Sequence, residues 1–139
     1  MKRIVLILFI FAVAGYAATQ PFAPRADGEE ILLARLLYTL ARDEGDEAMF
    51  ALGGVVMNRV RNPWFPDTIG EVIREPHQFA YGSKYDERSL RVARAAIAGD
   101  YRMDRGALYY QAMDATHRWD PSAALAVIGN YGFYAERGV

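Results

Sequence analysis

Two helical patterns that follow one another closely place the strongest constraint on the fold. In the first, apolar residues recur at helical spacing from Glu29 to about Asp43, and Gly45 is a natural stop because glycine readily adopts the backbone conformations that end a helix. The second pattern begins at Asp46 and runs to Asn62. Two consecutive helices of this length predict a mostly helical domain.

Two glycines in the second helix, Gly53 and Gly54, each lower its propensity by about 1 kcal/mol relative to alanine. We interpret them as a point where another helix packs closely. Two further helices are expected. Thr68 and Glu71 have the spacing of a capping box and predict a short third helix, and the segment SLRVARAAIAG predicts a fourth.

The chain changes character on either side of the fourth helix. Before it, REPHQFAYGSKYD carries a proline, a glycine and three aromatic residues and predicts an irregular loop of the kind that carries function. After it, GALYY and VIGNYGFY are short, aromatic and β-prone. The predicted fold class is therefore α+β, mostly helical, with a small C-terminal β element.

The N-terminus has the features of a secretory signal. Lys2 and Arg3 precede an uncharged apolar run with small residues near its end. We expect residues 1–18 to be a signal peptide, 19–28 a connector and 29–139 one folded domain, exported to the periplasm or cell envelope. The alternative is that the segment stays uncleaved as a membrane anchor, which would be the only contact with a membrane.

Composition excludes several classes of protein. The absence of cysteine rules out a disulfide scaffold, and the formal charge of −1 gives no basic surface for nucleic acid. His77 and His117 stand outside any metal-ligand spacing, so no metal site is expected. We expect a monomer.

The remaining chemistry is that of a carbohydrate site. Carboxylates cluster at the end of the first helix in LLYTLARDEGDE, and the loops are rich in aromatic and amide side chains. Aromatic faces stack on sugar rings, and amides bond to hydroxyl and N-acetyl groups. Cleavage of a glycosidic bond would additionally need a carboxylic acid that can protonate the leaving oxygen.

Five segments resemble the SleB/CwlJ-type cell-wall hydrolases, a family of spore-cortex-lytic and related peptidoglycan enzymes. They occur in the order and spacing of that family and together cover about residues 32–134: LLARLLYTLARDE, ALGGVVMNRVRNPWFPDTIGEVI, EPHQF, GALYY and IGNYGFY. The resemblance implies a lysozyme-like, lytic-transglycosylase-related single domain. It also implies cleavage between N-acetylmuramic acid and N-acetylglucosamine by one glutamate, without a cofactor, and glycan strands of peptidoglycan as the partner.

The chain departs from the family at the catalytic motif. The family motif has the form Y-x-E-A-R-G-E, whereas this chain reads YTLARDE, which puts Leu40 at the position of the catalytic glutamate. Leucine cannot donate or accept a proton. Glu44 matches the second glutamate of the motif and, four residues after Leu40, is expected on the same helical face about 6 Å farther along the axis. Glu44 is the candidate catalytic acid, and its structural alternative is to close the helix end by pairing with Arg42 or a neighbouring loop.

Five other residues match family positions expected to contact substrate: Gln78, Phe79, Tyr109, Tyr110 and Asn130. Strand alternation would point one of the two tyrosines inward and the other outward. The alternatives are that either tyrosine belongs to the core and that Asn130 serves the backbone turn. Two further departures lie in functional motifs. Ala112 and Met113 follow the aromatic strand where the family often has asparagine–proline, and Tyr131 stands where it often has histidine.

Four more residues have a structural interpretation. Asn58 and Arg59 belong to the second-helix signature and are expected to support the fold, and Trp64 and Trp119 are expected to be hydrophobic anchors rather than sugar platforms.

Three functions remain open from the sequence. The first is an exported peptidoglycan hydrolase or lytic transglycosylase that works through Glu44. The second is a catalytically inactive relative that binds glycan or regulates a partner enzyme, and the third is a membrane-held lysis factor.

Overall fold

The structure is a computed structural model that describes residues 28–100 and 102–138. The predicted signal peptide and nearly all of the predicted connector lie outside the described residues. Four helices occupy the first part of the chain: α1 (Gly28–Ala41), α2 (Asp46–Arg61), α3 (Ile69–Arg74) and α4 (Glu87–Ile97). In the described part of the chain, no helix has both the length and the apolar character needed to cross a membrane.

Side chains at the helix starts explain where the helices begin. The Thr68 hydroxyl accepts a hydrogen bond of 3.2 Å from the Glu71 N–H, as the predicted cap requires. A full capping box that the sequence analysis did not identify opens α4, where Asp86 accepts from the Ser89 N–H at 2.7 Å and the Ser89 hydroxyl accepts from the Asp86 N–H at 3.0 Å. Gly45, with φ of +88°, separates α1 from α2.

The core lies where α1, α2 and α4 pack together. Its largest fully buried aliphatic side chains come from all three helices, among them Leu33, Leu36, Leu37, Leu52, Val55, Val56 and Val92. A Cβ added to Gly53 would lie 3.1 Å from the Ala96 Cβ and 3.8 Å from Leu37 Cδ1. The predicted close packing of a helix against this glycine is therefore confirmed.

The predicted C-terminal β element is a three-stranded antiparallel sheet. Its strands are β1 (Tyr109–Ala112), β2 (Ala126–Ile128) and β3 (Tyr131–Tyr134), in the order β1-β3-β2, with a short 3₁₀ turn at Pro121–Ala123 before β2. A two-residue turn joins β2 to β3, and its first residue, Gly129, has φ of +58°, which favours glycine. The α+β fold class is confirmed.

Two buried polar side chains of α2 hold the segment that leads into β1. Asn58 Nδ2 donates to the carbonyl oxygens of Asp104 and Ala107 at 2.9 and 3.0 Å, and Arg59 Nε donates to the Leu108 carbonyl oxygen at 2.7 Å. Their donors tie the backbone of residues 104–108 to α2, so the structural interpretation of Asn58 and Arg59 agrees with the structure.

Candidate functional site

Two residues of the altered motif, Leu40 and Glu44, connect the end of α1 to the sheet. Leu40 lies in the last turn of α1, half-buried and packed against the core. Its carbonyl oxygen accepts a 2.7 Å hydrogen bond from the Tyr131 hydroxyl, which comes from a residue 91 positions later. The Leu40 backbone therefore ties the end of α1 to Tyr131 in β3.

Glu44 lies in a turn and not on the helix. α1 ends at Ala41, because the Glu44 N–H bonds to the Ala41 carbonyl oxygen at 3.1 Å and tightens the chain away from the helical path. The expectation that Glu44 shares a helical face with Leu40 is therefore wrong. The Glu44 Oε2 atom instead accepts a 2.8 Å hydrogen bond from the Asn130 N–H in the β2–β3 turn.

The Glu44 carboxylate packs closely against that turn. A Cβ added to Gly129 would come within 2.8 Å of Glu44 Oε2, so glycine is needed there for space as well as for its backbone conformation. Arg42 pairs with Asp43 at 3.3 Å, where both side chains are largely exposed. Glu44 was expected to pair either with Arg42 or with a neighbouring loop. It pairs with the loop between β2 and β3.

A row of aromatic rings extends from Leu40 toward the loop after α3. Tyr110 stacks on Phe79 with 5.4 Å between ring centroids, and it meets Tyr131 edge-on at 5.8 Å. The Tyr110 hydroxyl donates to the Gln78 carbonyl oxygen at 3.2 Å, and burial of this side chain raises the pKa of Tyr110 to about 12. Burial, followed by the nearby Glu44 carboxylate, also raises the pKa of Tyr131.

These contacts bring most of the predicted site residues into one region. Gln78, Phe79 and Tyr110 adjoin Tyr131, whose hydroxyl reaches Leu40, while Asn130 binds Glu44. Tyr131 was noted in the sequence only as a departure from the family. Its position beside the altered residue became visible only in the structure.

Tyr109 has different neighbours from Tyr110. Its ring meets Phe65 edge-on at 6.2 Å, and the Arg59 guanidinium lies 5.2 Å from its centroid. Neighbouring residues of a strand point to opposite sides. Tyr109 thus belongs to a second group of side chains around Arg59.

Arg59 is the centre of that second group. Its side chain is 1% exposed, and its guanidinium lies 4.9 Å from the Phe65 ring centroid and 4.8 Å from that of Phe79. Arg59 Nη1 donates to Gln78 Oε1 at 3.2 Å. Burial lowers the pKa of Arg59 and the Glu75 carboxylate opposes this effect. The sequence signal for this arrangement is that Arg59 follows Leu52 by seven residues and Val56 by three, which puts it on the apolar face of α2.

The two tryptophans differ from each other. Trp119 is half-buried and meets Tyr134 edge-on at 5.1 Å, as expected of an anchor. Trp64 is 90% exposed, so its assignment as a hydrophobic anchor is wrong. The turn needs no anchor because the Asn62 side chain accepts a 2.9 Å hydrogen bond from the Trp64 N–H, and prolines at positions 63 and 66 restrict the backbone.

The histidines do not form a metal centre with other residues. Both His77 and His117 are exposed, and His77 has φ of +61° in the turn that leads to Gln78. Within residues 28–100 and 102–138, no group of three or more histidine, aspartate or glutamate side chains is arranged to hold a metal ion.

Comparison with known proteins identifies the family. The family model described as Cell Wall Hydrolase matches residues 43–134. The spore cortex-lytic enzyme of Halalkalibacterium halodurans is 32% identical over 108 residues, which are 73% of this chain and 33% of that enzyme. The spore cortex-lytic enzyme of Bacillus subtilis is 34% identical over 94 residues, covering 66% of this chain and 26% of the enzyme. The chain thus spans about a third or less of the length of these relatives.

A solved structure extends the likeness to the fold. The catalytic domain of the germination-specific lytic transglycosylase SleB from Bacillus anthracis superposes with a TM-score of 0.69 at 26% identity, covering 82% of this chain and 99% of that domain. The mostly helical domain with its three-stranded sheet thus has the lysozyme-like, lytic-transglycosylase fold. The chain belongs to the SleB/CwlJ-type cell wall hydrolase family.

Proposed function

We propose that this chain binds the glycan strands of peptidoglycan in the cell envelope and lacks the acid step of its family. The observation that carries the proposal is Leu40 at the position of the family's catalytic glutamate, beside Tyr131. General acid catalysis needs a proton donor within hydrogen-bond reach of the leaving oxygen. A leucine side chain cannot supply one.

The surrounding side chains still favour carbohydrate binding. The partly buried rings of Phe79 and Tyr110 lie next to Tyr131, and the amide-bearing residues Gln78 and Asn130 are nearby. Aromatic faces and amides are the groups that recognise sugar rings and their N-acetyl substituents. We therefore expect the chain to bind glycan although it lacks the catalytic acid.

A second candidate is a hydrolase or lytic transglycosylase that uses Glu44 as its acid. The observation in its favour is that Glu44 is a carboxylate at the same junction, close enough to Tyr131 to influence its pKa. Against it, the carboxylate already holds the Asn130 N–H at 2.8 Å, and the turn moves it off the helical face of Leu40. We therefore propose that the main role of Glu44 is to close the end of α1 against the sheet.

Export is part of the proposal, since peptidoglycan lies outside the cytoplasm. It is supported by Lys2, Arg3 and the apolar run that follows them. A cleaved signal would release the domain into the envelope, and an uncleaved one would hold it at the membrane.

The test uses purified peptidoglycan with two readouts, co-sedimentation of the protein and release of muropeptides. The mature chain is compared with Leu40→Glu, Leu40→Gln and Glu44→Gln. We expect the unaltered chain to sediment with peptidoglycan and release nothing, and Leu40→Glu to gain release. Leu40→Gln is the matched control, because it adds polarity of the same size without a titratable proton.

Each alternative has its own outcome. Release by the unaltered chain that Glu44→Gln abolishes would establish the second candidate. Absence of both binding and release in all four proteins would refute the glycan assignment itself.

A further inference from the structure

The indole of Trp64 is exposed on a turn whose backbone is fixed. Besides the Asn62 side chain that accepts from the Trp64 N–H, the Asn62 carbonyl oxygen accepts from the Phe65 N–H at 3.1 Å. Prolines on both sides restrict the backbone further. The side chain is 90% exposed although the turn that carries it is held in place. An exposed indole on a fixed turn offers an apolar face on which a ring can stack.

Trp64 forms one wall of a cavity of about 300 Å³. The other lining residues are Phe65, Glu75, Gln78, Tyr109 and Arg137. This volume is at the small end of ligand sites, and so fits one ring rather than an extended chain. Gln78 also connects the cavity with the Leu40 region, because its carbonyl oxygen accepts from Tyr110 while its side chain lines the cavity.

The floor of the cavity is rigid and aromatic. Phe65 and Tyr109 meet edge-on at 6.2 Å, and the Arg59 guanidinium lies 4.9 and 5.2 Å from their ring centroids. Because arginine can only donate, the end of the Gln78 amide that faces Arg59 Nη1 must be its carbonyl oxygen. The NH₂ group of Gln78 is then the end that can donate to a ligand.

The charges in the lining favour a neutral ligand. One carboxylate, Glu75, and one guanidinium, Arg137, line the same cavity, so their formal charges cancel. Both can bond to hydroxyl groups, and the Gln78 NH₂ can donate to an N-acetyl oxygen. An anionic ligand would be repelled by the Glu75 carboxylate, and a cationic one by the Arg137 guanidinium.

We propose that this cavity is a sugar subsite, separate from the Leu40 region, that takes one neutral N-acetylhexosamine ring against the indole of Trp64. The proposal rests on the proposed function for the kind of polymer that is bound. It adds to that function a second point of contact with the glycan, on the Tyr109 side of β1. It also adds a preference of this cavity for the uncharged sugar of the glycan.

The first experiment uses a soluble tetramer of N-acetylglucosamine as the probe and the mature chain as the protein. Affinity is measured calorimetrically for the unaltered chain, Trp64→Ala and Trp119→Phe. We expect Trp64→Ala to weaken binding by about tenfold or more, as truncation of a central tryptophan does at other binding sites, and Trp119→Phe to leave it unchanged. Because Trp64 is exposed, its truncation should leave the circular dichroism spectrum and melting temperature of the chain intact.

Tryptophan fluorescence locates the ligand. The change on adding the tetramer should persist in Trp119→Phe and disappear in Trp64→Phe. A change that follows Trp119 instead, equal affinity of Trp64→Ala and the unaltered chain, or no binding of the tetramer at all would each overturn the subsite.

Co-sedimentation with peptidoglycan separates this proposal from the proposed function. If the unaltered chain and Trp64→Ala sediment equally, the subsite is refuted and the glycan-binding function stands. If the unaltered chain does not sediment, the proposed function fails on its own evidence. Binding of the tetramer by Trp64 without binding of peptidoglycan would leave a sugar site whose polymer is a different one.

Discussion

Replacement of Arg59 by leucine tests whether one buried guanidinium holds β1 and the loop after α3 on α2. Leucine keeps an apolar body in the helix but removes both donors that Arg59 uses. Leu108 then loses a 2.7 Å hydrogen bond to its carbonyl oxygen, and Gln78 loses a 3.2 Å bond to its side-chain oxygen. We expect the domain to become less stable.

The magnitude follows from these contacts. A carbonyl left unsatisfied where it is shielded from water costs about 1–3 kcal/mol, whereas the half-exposed Gln78 amide can turn to water at little cost. Contacts between a desolvated guanidinium and aromatic rings contribute about 1–2 kcal/mol each, and Arg59 makes three, to Phe65, Phe79 and Tyr109. Removing the burial of a charge offsets part of this loss. The net destabilisation expected is about 3 kcal/mol.

Urea unfolding followed by circular dichroism measures the effect. With a slope of about 1.5 kcal/mol per molar urea, the midpoint should fall by about 2 M. Arg91→Leu is the matched control, because Arg91 is an exposed arginine on α4 and its replacement should change stability by less than about 0.5 kcal/mol. A loss below about 1 kcal/mol for Arg59→Leu, or an equal loss in the control, would refute the role assigned to Arg59.

Two further predictions concern the core and the aromatic row. Gly53→Val should lower the free energy of unfolding by about 1–3 kcal/mol, because its added carbons meet Ala96 Cβ at about the 3.1 Å contact distance; thermal melts should show partial rescue by Ala96→Gly. Ultraviolet titration should show one tyrosine ionising near pH 12, and Tyr110→Phe should remove it. Because the folded pKa of Tyr110 exceeds the unfolded value of 10.0, its contribution to stability is complete below pH 10 and is lost as the pH rises through 12. Ionisation of every tyrosine near pH 10, or full stability of Gly53→Val, would contradict these expectations.

Much of the fold was predictable because local chemistry specifies it. The periodic apolar residues predicted the helices, Thr68 predicted a helix cap, and Gly53 predicted a close contact between two helices. Gly45 and Gly129 lie where turns require positive φ. Each of these signals acts over a few residues, or through a face whose burial follows from its pattern.

The site was less predictable because its contacts are long-range. The end of α1 was expected near Asp43, but it lies at Ala41, which takes Glu44 off the helix. The hydrogen bonds from Asn130 to Glu44 and from Tyr131 to Leu40 span 86 and 91 residues, and no periodicity encodes such partners. Only the family resemblance identified Leu40 as the altered position of the motif.

Trp64 shows a different limit of prediction. A tryptophan among prolines suggested a compact hydrophobic turn. Backbone hydrogen bonds and restricted torsions suffice to fix that turn, so nothing requires the indole to be buried. Composition alone cannot distinguish a turn held by its side chains from one held by its backbone.

The strand order also makes the whole sheet depend on one strand. β3 lies between β1 and β2, and both of those strands bond to it but not to each other. The helices α1, α2 and α4 can pack on one another without the sheet, whereas neither β1 nor β2 has a partner strand until β3 joins them. A form of the domain in which the helices have packed but β3 has not would present β1 and β2 with unpaired edges, and it is the form most exposed to aggregation.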